Sequence, residues 1–295
     1  MVFSLEPEVV QLGMMGSLAE VISLESQPEV VEVNGESVVS VFAFPSDFPP
    51  ASTISMDAEY LFVLLSEGSK DQQRDEYLRT LQRLPQIPST IKVLVFPYGA
   101  CAMQLALRQA QRIFAMGDTL IKVVAFHQDA YFQSDIAFSP DHPMAGSTQS
   151  ECFFSANLAP SSQGFGLLWS SYEVQTADKP MEQPIEALFS RYRRNIGLPL
   201  AYCFVPSQLD DCVQKACMES IRHLKSCITA QSQILLPDAA VGSLGPCSGM
   251  YHLWQLQNQL INHEISGANL TLDISSERYR SASAYQWIGT NTLGV

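Results

Sequence analysis

Cys101 is the residue best placed for covalent chemistry. It lies in GACAMQLALRQA, directly behind a Pro97-Tyr98-Gly99 corner and at the first turn of an expected helix. A helix N-terminus offers unpaired N–H groups and partial positive charge, which favour a thiolate, and the thiolate is the nucleophile. A cysteine among small neighbours also suits a plain buried core position. A βαβ unit over residues 91–130 must position it. The apolar run Ile91 to Phe96 precedes the corner, and Leu105, Ala106, Ile113 and Phe114 give the helix its apolar spacing as far as Gly117. A second apolar run, Leu120 to Phe126, closes the unit.

His127 ends that second run, and of the five histidines it is the candidate base for Cys101. His142 falls in an expected loop, His223 and His252 on helices and His263 just after one, where packing accounts for them. The chain has seven cysteines and no Cys-x-x-Cys pair. Cys212, Cys217 and Cys227 share one helical stretch with no matching histidine cluster, so reduced buried thiols are expected, and neither a metal nor another resident cofactor.

Length and composition bound the rest. With 295 residues, 46% apolar and 16% charged, the chain is expected to be globular with a large core, as one large domain or two halves. A net charge of -13 argues against nucleic acid and anionic membranes as partners. No apolar run approaches the roughly 18 residues that span a bilayer. The N-terminus, MVFSLEPEVV, lacks the basic region of a signal peptide, so a cytoplasmic protein is expected.

In chain order, a short helix is expected within Val9 to Ile22. VVEV-NG-ESVVSVFAF reads as a hairpin about Asn34-Gly35, and Pro45, Pro49 and Pro50 interrupt regular structure beyond it. Tyr60 to Leu65 is a buried strand. Ser69 and Gln72 form a capping box for a helix with Tyr77, Leu78, Leu81 and Leu84 inward, ended by Pro85. The βαβ unit comes next, so this half reads β-α-β-α-β with parallel strands. Residues 132–149 read as loop. CFFSANLAPSSQGFGLLWSSYEV reads as two strands about a Ser161-Ser162-Gln163-Gly164 turn, and residues 175–183 as the linker between halves. The second half runs through a helix from Pro184 to Ile196, a strand from Leu198 to Val205 and a long helix carrying Leu209 through Ile228. VGSLGPCSGMYHLWQLQNQL then turns into a further helix, and ANLTLDI and SAYQWIG form a terminal strand pair. Ser207 with Asp210 reads as a helix N-cap, and Ser243 as a turn residue.

GACAMQLALRQA, the strand pair about residues 161–164, CFVPSQLDD and VGSLGPCSG occur in an order that resembles the thiolase-fold condensing enzymes, the β-ketoacyl synthases. The resemblance covers roughly residues 58–290. It implies an α/β fold of two similar halves with mixed sheets, layered α-β-α-β-α: residues 1–175, shortened before the elbow, and residues 176–295. It places Cys101 at the acyl-accepting elbow, although Ala106 follows five residues later where the family has six, so either the elbow is shifted by one or Ala100 holds the nucleophile position. It places Ser207 and Ser243 where the family has its catalytic His and His or Asn, and a serine hydroxyl cannot replace imidazole as a base near neutral pH.

The resemblance therefore implies a degenerate ketosynthase-like subunit, similar to a chain-length factor, in fatty-acid- or polyketide-type biosynthesis. Its partner would be an active ketosynthase, with the strand Leu120 to Phe126 at the dimer seam. Arg191, Arg193 and Arg194 would offer a basic patch to an acyl carrier protein, although a basic helix C-terminus also complements the helix dipole. Two alternatives stay open. One is an acyltransferase that uses Cys101 on acyl carrier protein (phosphopantetheine) or CoA thioesters. The other is a non-enzymatic homodimer with a binding role.

Overall fold

Alternating burial on either side of an irregularity at Pro7–Val9 decides the first element. Phe3, Leu5, Val10 and Leu12 are buried between more exposed neighbours, so Val2–Leu12 is a strand, β1, and not the start of a helix. The expected helix shrinks to α1 (Leu18–Ser23), opened by a Ser17–Glu20 capping box. The computed structural model describes residues 1–33, 36–45, 54–117, 119–129, 132, 147–207, 209, 211–262 and 267–289. Asn34-Gly35, Pro49, Pro50, His142, Asp210, His263 and most of the expected 132–149 loop lie outside the described residues.

The hairpin forms as expected from β2 (Glu29–Val33) and β3 (Glu36–Phe42). Then come β4 (Tyr60–Leu65), α2 (Lys70–Gln82), β5 (Lys92–Pro97), α3 (Ala102–Phe114), β6 (Ile121–Gln128), β7 (Thr148–Pro160) and β8 (Gly164–Val174). They are followed by α4 (Glu182–Asn195), β9 (Leu200–Phe204), α5 (Asp211–Ser220), β10 (Gln233–Leu235), α6 (Ser248–Asn262), β11 (Ala268–Ile274) and β12 (Tyr279–Ile288). The Ser69–Gln72 capping box opens α2, but Leu78 is 44% exposed and Thr80 takes the buried position on that helix. The expected long helix breaks into α5 and a 3-10 turn over Ile221–Leu224. The short edge strand β10 had no signal in the sequence.

Strand pairing bears out the two similar halves, although no sequence repeat links them. The strands run β10-β9-β11-β12-β8-β1-β7-β6-β4-β5. Read outward from the β1–β8 seam, β1-β7-β6-β4-β5 and β8-β12-β11-β9-β10 are the same order twice. In each set the first two pairings are antiparallel and the last two parallel. Strand β8, read from sequence as the end of the first half, pairs as the opening strand of the second set, so residues 175–181 link two elements of that set. The crossover between β1 and β4 carries α1 and the β2–β3 hairpin, where the matching crossover of the second set carries α4.

Three apolar cores define five layers. One core lies between α2 and the outer face of β4, β6 and β7. The central core joins α3 and α6 to the inner faces of both sheets. The third lies between α4, α5 and β9, β11 and β12. The order is α-β-α-β-α, as expected. Strand β6 sits between β4 and β7 with Ile121 to Phe126 buried, which corrects its expected place at a dimer seam; β5 and β10 are the sheet edges. Lys122 is buried on β6 because Glu8 pairs with it at 2.6 Å. Among the described residues, no helix is long and apolar enough to cross a membrane.

Candidate functional site

Each of the two central helices begins in the same way. Before α3, Gly99-Ala100-Cys101 forms a 3-10 turn, and before α6, Gly245-Pro246-Cys247 does so, with φ of 57° at Gly99 and 50° at Gly245. Glycine suits these positions because its backbone enters the left-handed region without a Cβ clash. Each glycine also lies against a strand end of the other set. A Cβ on Gly99 would collide with Ser275, and one on Gly245 with the His127 ring.

Cys101 sits at the first elbow, as expected, but fully buried. Its thiol donates to the Asp273 carbonyl at 3.2 Å. Burial, then the nearby Asp273 charge, push the thiol up to about 12. The helix-start effect expected from the sequence is outweighed by desolvation. Ala100 is half-buried in the same turn.

His127 is not brought to Cys101. It faces the second elbow, where its Nε2 lies 2.9 Å from Asp129 Oδ1 and its ring also donates to the Ser243 carbonyl. Burial works against the charged ring, but Asp129, Glu76 and that carbonyl outweigh it and raise its pKa. Asp129 and the Ser243 carbonyl thus hold the ring at the second elbow, away from Cys101. A group raised in the folded state stabilises most below its unfolded value and ceases to as pH rises through the folded one. His127→Gln is therefore expected to cost about 1.5–3 kcal/mol at pH 5. Urea unfolding from pH 5 to 9 should show that cost shrinking with rising pH; a flat difference would sink this reading.

The expected Ser207–Asp210 cap involves a residue outside the described ones, and Ser207 makes another contact. Its hydroxyl donates to Asp238 Oδ1 at 2.8 Å, and its N–H meets the same carboxylate. Ser243 is exposed. Arg191 is paired with Glu173 and donates to Ser171 at 3.1 Å, while Arg193 and Arg194 are exposed. Among the described residues, no group of three or more His, Cys, Asp or Glu could hold a metal ion.

The sequence reading missed the pair that does stand near Cys101. His252, on α6, places Nδ1 2.9 Å from Asp273 Oδ1, and both side chains are buried. Asp273 thus accepts from Cys101 through its backbone and meets His252 through its side chain. The buried Nε2 of His252 has no hydrogen-bond partner. Asp273 belongs to a buried polar stripe, Asn269, Thr271 and Asp273 on the inner face of β11, continued by Ser275 just past its end. The matching face of β6 carries Ile121, Val123 and Ala125 before His127. Alternation in ANLTLDIS was the available signal.

No family model and no curated protein matches the chain. Solved structures do. "The ishigamide ketosynthase/chain length factor" matches with a TM-score of 0.64 at 13% identity, over 98% of this chain and 100% of that one. The chain has the thiolase-like fold. A 3-oxoacyl-[acyl-carrier-protein] synthase III from Aquifex aeolicus VF5 matches with a TM-score of 0.56 at 7% identity, over 96% of this chain and 100% of that one. A third match, with a TM-score of 0.60 at 10% identity, covers 97% of this chain and 99% of its own and is described as a "type II PKS acyl-carrier protein in complex with its ketosynthase bound to the hexaketide". In thiolase-fold terms the duplicated strand order gives the two halves, and the paired elbows face one another across the central layer.

Proposed function

We propose that this thiolase-fold protein is a non-catalytic, chain-length-factor-like partner of an active ketosynthase in fatty-acid- or polyketide-type biosynthesis. The observation that carries the reading is the state of Cys101, fully buried, bonded to a backbone carbonyl and with its thiol pushed up to about 12. The residues at the positions implied for catalysis support it: Ser207 is tied to Asp238, and the Ser243 carbonyl serves His127. No resident cofactor is invoked.

The partner would add to β5, which among the described residues pairs with β4 alone, at the edge of the sheet. Val95 on that strand is 43% exposed, and Tyr98, Arg108, Arg112 and Tyr172 line the adjoining groove. Arg193 and Arg194 remain as the surface for an acidic carrier protein. With the ketosynthase co-expressed, Val95→Lys is expected to reduce co-elution at least tenfold; undiminished co-elution removes β5 from the interface.

One observation favours a second reading, acyl transfer by Cys101: the His252–Asp273 pair leaves a basic nitrogen free near the first elbow. Intact-protein mass after incubation with a short acyl-CoA separates the two readings. The expected result is no adduct on folded protein. A single acyl adduct, absent from Cys101→Ala, would replace the partner reading with the transferase.

A further inference from the structure

Strand β8 is paired along only part of one edge. It runs beside β12 from end to end, but beside β1 only at Phe165 and Gly166, and the Leu167 N–H closes that contact on the Met1 carbonyl. From Leu168 to Val174, no second strand pairs with β8 among the described residues. Backbone groups alternate between the two sides of an antiparallel ladder. The Gln175 N–H bonds to the Arg278 carbonyl, so Glu173, Ser171 and Trp169 turn their backbone groups toward β12. Ser170, Tyr172 and Val174 therefore turn theirs to the open side. Such an edge is a template for an added strand.

The space beside this edge is basic, in a chain of net charge -13. Ser170, Tyr172 and Val174 line a groove of about 450 Å³ with Lys179 and Arg108. Tyr172, Val174 and Arg108 also line a second groove of about 520 Å³, which takes in Arg112. The carboxylate in these walls, Glu173, is already paired with Arg191. Arg108 stands 5.2 Å from the centre of the exposed Tyr172 ring. Among the described residues, no carboxylate pairs with Arg108 or Arg112. Like charges four apart on a helix repel. The helix C-terminus accounts for Arg112 but not for Arg108 one turn earlier. An anionic occupant would remove that repulsion.

We propose that this groove takes an acidic, extended segment of the partner protein, which adds to β8 as a strand and sets alternate carboxylates on Arg108 and Arg112. The backbone of Ser170, Tyr172 and Val174 supplies the ladder, and the two guanidinium groups select the charge. The spacings agree. Side chains four apart on a helix stand about 5–6 Å apart, and alternate side chains of a strand about 6.7 Å apart. The inference rests on the partner reading only for the source of the segment; the groove itself is tested without a ketosynthase.

The test uses the whole chain and a capped, fluorescein-labelled heptapeptide of alternating glutamate and valine. It is expected to bind with a Kd below about 1 mM. Glutamine in place of glutamate should weaken binding at least tenfold, and so should the double variant Arg108→Ala with Arg112→Ala. Of two forms of the peptide N-methylated at alternate residues, only the one that blocks the edge facing β8 should lose binding. Hydrogen exchange should show the bound peptide slowing the Ser170, Tyr172 and Val174 amides. No binding would overturn the proposal, as would protection confined to other strands. Equal binding of the glutamine peptide, or of both N-methylated forms, would overturn it too. Displacement by an equal concentration of inorganic phosphate would leave an anion site and no added strand. The peptide comparisons use the wild-type chain, so they decide the matter even if the double variant folds poorly. A failed peptide with intact ketosynthase co-elution strikes the segment alone, whereas lost co-elution strikes the partner reading and leaves the peptide result standing.

Discussion

Asp273→Ala is expected to lower the stability of the folded chain by about 3–5 kcal/mol, the cost of leaving one member of a buried polar pair without its partner. Asp273 is wholly buried, and its Oδ1 holds His252 Nδ1 at 2.9 Å. Alanine removes that acceptor, and no water replaces it cheaply in a layer packed with Phe204, Tyr251 and the α3 helix. Asp273→Asn keeps an oxygen where Nδ1–H needs one and is expected to cost only about 1 kcal/mol. Because Cys101 bonds the backbone oxygen and not the side chain, both variants should retain the buried thiol. Chemical denaturation gives the two costs, and alkylation of the native state checks the thiol. Equal costs for Ala and Asn would mean that the lost group is volume and not an acceptor. The double variant His252→Leu with Asp273→Leu should recover much of the loss, since it removes both polar groups together.

The contrast between α3 and α6 shows where sequence reasoning reached and where it stopped. The βαβ unit about Cys101 was legible because its strands are continuous apolar runs and its helix is amphipathic; β4, α2 and the β2–β3 hairpin were legible through burial pattern, capping box and turn residues. β1 was misread because Pro7 and the shift in pairing between Pro7 and Val9 blur its alternation. β10 was missed because three residues carry no periodic signal. The site was harder. Position at a helix start suggested an activated thiol, but desolvation depends on what packs over Cys101, and that cover comes from β11 and β12, more than 170 residues later. His252 looked like packing on a helix because its partner, Asp273, lies on a strand that only the second-half sheet brings beneath it. The duplication was reached only through the family resemblance, and no sequence repeat betrays it, because the two halves share strand order and elbow geometry, which many sequences satisfy, and little else.

The two elbows give the sharpest test of that duplicated geometry. Gly99→Ala and Gly245→Ala each place a Cβ on left-handed backbone, which costs roughly 1–2 kcal/mol at either site. Their neighbours then separate them. At Gly99 the new methyl meets the Ser275 hydroxyl, the far end of a small side chain, and the Ser275 Cβ lies at 3.2 Å. That hydroxyl can turn, losing its 2.6 Å bond to Glu67. At Gly245 the methyl meets three atoms of one rigid ring, with His127 Cε1 at 2.7 Å and Cγ at 3.0 Å. The ring cannot rotate away, because Asp129 holds one edge and the Ser243 carbonyl the other. Overpacking adds a further 1–3 kcal/mol or so, and Gly245→Ala should be the costlier substitution by about that amount. A double-mutant cycle isolates the cause. His127→Ala makes room for the methyl, so the double variant should be at least about 1 kcal/mol more stable than the sum of its singles predicts. Strict additivity in urea unfolding would show that His127 does not rest on the second elbow.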